Sequence, residues 1–225
     1  MKSKNDGWIA AIIVVGLLVI DQIIKIWVKT NMALYDTITI TSWFKIYFIE
    51  NNGMAYGMSF IPKVALSLFR IAAVAAIGYY LAKLIKGEHR RGYVVCLAMI
   101  MAGAAGNIFD SLFYGLCFDA STPMHISQWV PFGTGYAPAL HGRVVDMFYF
   151  PLIVTTWPEW MPWVGGDAFI FFSPVFNFAD ACISVGVVVL ILFFRKELEN
   201  INSVVTGKKE ASTAENETTE VTQQS

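Results

Sequence analysis

The stretch WIAAIIVVGLLVIDQIIKIWV, residues 8–28, is apolar along nearly its whole length, and its only strongly polar members are Asp21, Gln22 and Lys25. At about 1.5 Å of rise per residue, a helix of this length crosses a hydrocarbon layer of about 30 Å. Three further runs follow, from Pro62 to about Ile85, Gly92 to about Phe113 and Pro174 to about Phe194. The sequence therefore predicts four transmembrane helices, an all-α membrane protein with a small outer-face β-sheet and extended outer loops. Composition agrees. Of 225 residues, 56% are hydrophobic and only 15% are charged, whereas a soluble domain carries about 25% charge. A net charge of -1 without a basic block removes nucleic acid as a partner. Cys96, Cys117 and Cys182 show no CxxC spacing, so neither a disulfide framework nor a zinc site follows.

Basic residues set the expected orientation. Lys2 and Lys4 precede the first run, Lys83, Lys86, Arg90 and Arg91 surround the link between the second and third, and Arg195 and Lys196 follow the fourth. The positive-inside rule makes these ends, and both termini, cytoplasmic. No A-x-A-like site follows the first run, so it is expected to be a retained helix and not a cleaved signal peptide.

Two long segments, 29–61 and 114–173, then face outward. Within the first, the β-branched and aromatic runs Thr37-Ile38-Thr39-Ile40-Thr41 and Lys45-Ile46-Tyr47-Phe48-Ile49 predict a β segment over 34–60. The second, an outer loop insertion over 114–173, holds Trp157, Trp160 and Trp163 between prolines. Indoles at the outer interface and indoles packed on the outer domain fit this pattern equally. Residues 1–197 form one membrane domain, and the Glu-, Thr- and Ser-rich 198–225 is expected to be a disordered cytoplasmic tail.

Polar groups inside a membrane are expensive and are functional candidates by default. On this topology Asp21, Asn107, Asp110, Arg70, Asn177 and Asp180 all fall about 5–12 Å below the outer boundary, reckoned at 1.5 Å per residue. Asp21 and Lys25, four apart, face one side of a helix, either as a structural ion pair or as part of the chemistry. Arg70 fits an anchor or a neutralising partner for a carboxylate. Asp146, in Gly142-Arg143-Val144-Val145-Asp146, and Asp180, in Phe176-Asn177-Phe178-Ala179-Asp180, can meet if the long loop returns to the helix ends. Two carboxylates in contact share a proton, so one can act as base on water while the other polarises a carbonyl. The same residues would also suit a proton-coupled carrier, and a serine–lysine peptidase or a non-enzymatic assembly factor are further alternatives.

Five blocks bear on that choice: Asp21-Gln22-Ile23-Ile24-Lys25, Glu50-Asn51-Asn52-Gly53-Met54-Ala55-Tyr56-Gly57, Gly106-Asn107-Ile108-Phe109-Asp110, Val144-Val145-Asp146 and Phe176-Asn177-Phe178-Ala179-Asp180. In this order they resemble the signature blocks of lipoprotein signal peptidase, the type II signal peptidase of bacteria. The resemblance covers roughly residues 8–196. It implies an intramembrane aspartic endopeptidase of the bacterial inner membrane, with its site near the outer leaflet. Such an enzyme removes the signal peptide of a diacylglyceryl-modified prolipoprotein, cutting before the lipidated cysteine.

The resemblance makes Asp146 and Asp180 the catalytic pair, Asn51 and Gly53 part of the strand lining the substrate groove, and Asn107 and Asn177 hydrogen-bonding holders of the substrate or the pair. Asp21, Lys25 and Asp110 would support the site. The expected partners are the lipid-modified substrate and membrane lipids, with a monomer as the acting species and no cofactor or metal. His89, His125 and His141 are scattered and form no metal motif. Two departures stand out. The family has an arginine after the aspartate of its Gly-Asn-x-x-Asp block where this chain has Ser111, with Arg143 or Arg70 as candidate substitutes. The intervals on either side of Asp146 are also longer than expected.

Overall fold

The structure is a computed structural model describing residues 5–51, 62–87 and 89–206. The first apolar run is helix α1, Asp6–Asn31. Helix α2, Lys63–Leu84, begins directly after Pro62, whose fixed φ suits a helix start. Helix α3 runs from Arg91 to Cys117 and contains a π-helical stretch at Asp110–Tyr114. These three are long and apolar enough to cross a membrane. The last run gives α4, Phe178–Phe193, whose 16 residues make it shorter than the other three. Helical chain then continues as α5, Arg195–Glu199, and α6, Ile201–Thr206. These turns cover the start of the expected tail, 198–225, of which residues 207–225 lie outside the described residues. Leu198 and Val204 pack on the core there, which gives these turns an apolar face to bury.

Helix α3 is the most buried of the three long helices and packs against α1, α2 and α4. Small residues allow this. A Cβ on Gly106 would lie 2.5 Å from Asp21 Oδ2, so only glycine lets α1 bring its carboxylate against α3.

The basic segments gather at one end of the bundle, where Asp6 bonds His89 and Arg91, and Arg90 reaches Glu197 and the Phe193 carbonyl. A core of Tyr80, Tyr93, Leu97, Leu190 and Phe194 fills that end.

The opposite end is not all-α. Strands β1 (Thr37–Thr39) and β2 (Lys45–Asn51) pair antiparallel within the β segment expected over 34–60, of which 52–60 lie outside the described residues. The sheet is completed by β3, Val144–Tyr149, from the second outer segment and by β6, Val175–Phe176, from the start of the fourth apolar run, which was expected to be helical from Pro174, in the antiparallel order β1-β2-β3-β6. A separate two-stranded ribbon, β4 (Ile153–Thr156) with β5 (Ala168–Phe171), lies between them in sequence. Within the expected outer loop insertion, 114–173, β3, β4 and β5 are regular strands. Val145 and Met147 bury against Phe48, Val28 and Tyr114 in a second core. Because Val144 and Asp146 are buried as well, β3 lacks the apolar–polar alternation that announces a strand.

Replacing Gly106 by Val should cost about 1–3 kcal/mol through overpacking and lower the thermal unfolding midpoint in detergent. Gly16→Ala, inside α1 where a Cβ meets nothing within 4 Å, should not lower that midpoint.

Candidate active site

Register brings the first carboxylate into place. In the β2–β3 ladder Ile49 faces Asp146 and Asn51 faces Val144. Asp146 is 1% exposed, with Oδ1 accepting from Asn177 Nδ2 at 2.6 Å and Oδ2 accepting from Asn51 Nδ2. Asn177 caps α4. Its Oδ1 accepts from the Asp180 backbone N–H at 2.9 Å, and its own backbone N–H faces Asp180 Oδ2 at 3.4 Å, a reciprocal capping box. Asn107, on α3, donates from Nδ2 to Asp180 Oδ1 at 2.8 Å and accepts from Asn177 Nδ2 at 3.2 Å. Two asparagines thus connect Asp146 with Asp180. Burial, then the charge of Asp180, pushes the Asp146 carboxyl up to about 7, while the bond from Asn177 opposes that rise.

A second ring of polar residues holds the residue preceding each aspartate. The backbone N–H of Val145, just before Asp146, donates to Asp110 Oδ2 at 3.4 Å. The backbone N–H of Ala179, just before Asp180, donates to Asp21 Oδ1 at 3.0 Å. Lys25, fully buried, joins the two. Its ammonium bonds Asp21 Oδ2 at 2.9 Å, Asp110 Oδ2 at 2.8 Å and Asn107 Oδ1 at 2.9 Å. These three acceptors use all three N–H donors of a lysine. Gln22 adds bonds to Asp110 and Asp21, and Tyr114 donates to Gln22.

Most of the expected residues therefore converge. Asp146, Asp180, Asn51, Asn107, Asn177, Asp21, Lys25 and Asp110 form one connected set, while Gly53 lies outside the described residues. Arg143 does not join it. Its guanidinium pairs with Glu50 Oε2 at 3.3 Å and lies over the Tyr136 ring. Ser111, where an arginine was expected, turns its hydroxyl back to the Asn107 carbonyl at 3.1 Å. Arg70, on α2, lies within electrostatic reach of Asp180, Asp110 and Asp146, so it stands on the carboxylate side.

Sequence reasoning missed the Lys29–Glu50 pair. Lys29 Nζ meets Glu50 Oε1 at 2.5 Å, both side chains are buried, and Ser121 bonds both of them. Lys29 also lies over the rings of Phe118 and Tyr136. This cluster ties the segment after α3 to α1 and to β2, one residue before Asn51. The signal was present in α1, where Asp21, Lys25 and Lys29 recur every four residues along one stripe.

Comparison with known proteins places this geometry. Residues 13–196 match the family model described as Signal peptidase (SPase) II. The chain belongs to the signal peptidase II family. Two strains of Porphyromonas gingivalis have a lipoprotein signal peptidase 47% identical over 97% of both chains. That of Amoebophilus asiaticus is 35% identical, covering 80% of this chain and 75% of its own. A solved bacterial membrane enzyme shares the fold at a TM-score of 0.55, with 21% identity over 91% of this chain and 93% of that one. Family membership makes the chain a protease of lipoprotein processing and a bacterial membrane protein.

Replacing Lys29 by Met leaves the buried Glu50 carboxylate with only Arg143 and Ser121. It should cost less than the about 3–5 kcal/mol of a fully unpaired buried charge, read as a lowered unfolding midpoint in detergent. The double variant Lys29→Met/Glu50→Met should recover most of the loss.

Proposed function

We propose that this chain is an intramembrane aspartic endopeptidase that cuts diacylglyceryl-modified prolipoproteins before the lipidated cysteine, with Asp146 and Asp180 as the catalytic pair. The observation that carries the reading is the single side chain of Asn177, which bonds Asp146 through Nδ2 and the Asp180 backbone through Oδ1. In the proposed reaction the pair shares one proton. The ionised carboxylate takes a proton from water as its oxygen attacks the scissile carbonyl, and the protonated carboxyl gives its proton to the carbonyl oxygen. Collapse of the resulting diol breaks the C–N bond and delivers a proton to the leaving nitrogen, which regenerates the pair. Asn51 and Asn107 hold the carboxylates, and Arg70 takes the electrostatic place of the family's arginine.

The topology proposed with this reading has four spans, with α4 as the fourth and both termini cytoplasmic, in the inner membrane. The site then lies at the outer leaflet, where the acyl chains of the substrate cysteine sit. The acting species in this reading is a monomer. A serine–lysine mechanism fits less well. The Lys25 ammonium donates to two carboxylates and an amide oxygen and so has no lone pair with which to take a proton, and the Ser111 hydroxyl is engaged by its own helix.

Asp146→Asn and Asp180→Asn, each folded and inserted, should lose cleavage of a diacylglyceryl prolipoprotein in liposomes, and normal turnover by either would sink the dyad. Ser111→Ala should remain active in the same assay. The pH dependence has a definite sign. Below about 7 Asp146 retains the proton that the mechanism needs, and above it the proton is lost, so kcat/KM should fall as pH rises through about 7. A rate that rises through that range would contradict a shared-proton mechanism.

A further inference from the structure

The ribbon β4–β5 carries apolar side chains on both faces. Ile153 stands opposite Phe171 and Thr155 opposite Phe169 on one face, and Val154 stands opposite Ile170 on the other. Ile153, Val154 and Phe171 are each at least half exposed. The turn joining the strands leaves Trp160 78% and Trp163 99% exposed, while Trp157 packs on Phe169 at 4.7 Å. A two-stranded ribbon is marginal in water, and one with two apolar faces has no side to give to solvent. Its charges are two carboxylates, Glu159 and Asp167, both in the turn, and no Lys or Arg occurs between Arg143 and Arg195.

The roots of the ribbon show where it lies. Phe150, before β4, stacks on Phe176 at 5.7 Å, and Phe172, after β5, meets the same ring edge-on at 6.2 Å. Phe176 immediately precedes Asn177, the cap of α4. The aromatic row continues through Phe44, 4.7 Å from Phe150, to the half-exposed Trp43 in the β1–β2 turn. The ribbon is thus rooted on Phe176, in the strand that pairs with β3 and leads into the cap of α4.

We propose that the 153–171 ribbon seats its apolar faces and the indoles of Trp160 and Trp163 in the headgroup layer of the leaflet at the site end of the bundle, with neutral phospholipid as its partner. Indoles favour that layer, with the ring body in apolar surroundings and the N–H in water. Two turn carboxylates and no basic residue exclude attraction to anionic headgroups as the driving term. A second copy of this chain would need a dry, uncharged contact, which Glu159 and Asp167 beside the tryptophans oppose. The proposal rests on α4 crossing the membrane, as in the topology proposed above.

The test uses the full chain in phosphatidylcholine liposomes. Cys96, Cys117 and Cys182 are replaced by Ala, and an environment-sensitive fluorophore is attached to a Trp163→Cys variant. A quencher carried on lipid near the headgroup should quench the label strongly, aqueous iodide should quench it weakly, and added anionic lipid should not increase the effect. Strong iodide quenching with none from lipid would overturn the proposal. So would protection of the label from both quenchers together with Cys–Cys cross-linking between copies of the unlabelled Trp163→Cys protein. Cleavage of prolipoprotein is measured on the same samples, so that failure of the peptidase reading appears separately from failure of lipid seating. As a second variant, Trp160→Glu/Trp163→Glu should keep cleavage in detergent and lose turnover in liposomes through a raised KM. Equal turnover in both media would also count against the proposal.

Discussion

The ammonium of Lys25 is the point on which the site depends. Buried, it would be intolerable alone, and three oxygens from two helices, those of Asp21, Asp110 and Asn107, surround it at hydrogen-bond distance. Each carboxylate that it neutralises has a second oxygen or lone pair left to hold a backbone N–H, that of Ala179 or that of Val145. One buried cation therefore sets the positions of two chain segments that have no local reason to be near each other. The aspartates follow one residue later on both.

This arrangement divides the labour between the two carboxylates. Asp180 belongs to a capping box at the start of α4, so its backbone is placed by a local rule of helix initiation. Asp146 belongs to a strand held by register against β2 and by packing of Val145 and Met147 in the core. The Lys29–Glu50 pair extends the same logic outward. By burying a charge at the end of α1 it clamps β2 just before Asn51, which then meets Asp146. The segment after α3, an insertion by length alone, is bound into the fold through Ser121 and the rings of Phe118 and Tyr136.

The expected fold and site were legible to different depths. Helices α1 to α3 were readable because apolar length is a local property. The start of α4 was not: the fourth apolar run was set to begin at Pro174, whereas Val175–Phe176 pair as β6 and the helix begins only after the Asn177 cap. Strand β3 was not, since burial on both faces erases the alternation by which strands are recognised. The π-helical stretch at Asp110–Tyr114 carries no composition signal, yet it helps to turn Asp110 and Tyr114 inward together. Arg143 was a candidate for the place of the family's arginine, and its guanidinium pairs with Glu50 instead.

From the residues alone came the membrane as solvent, the helical spans, the polar stripe of α1 and, through five short blocks, the family. Those are consequences of composition and spacing along the chain. Only the tertiary structure decided that Lys25 bridges two carboxylates, that Asn177 links Asp146 to Asp180, and that Trp163 is exposed while Trp157 is packed. Each of those depends on contacts between residues dozens of positions apart, which are set by packing geometry and by the need to satisfy every buried charge.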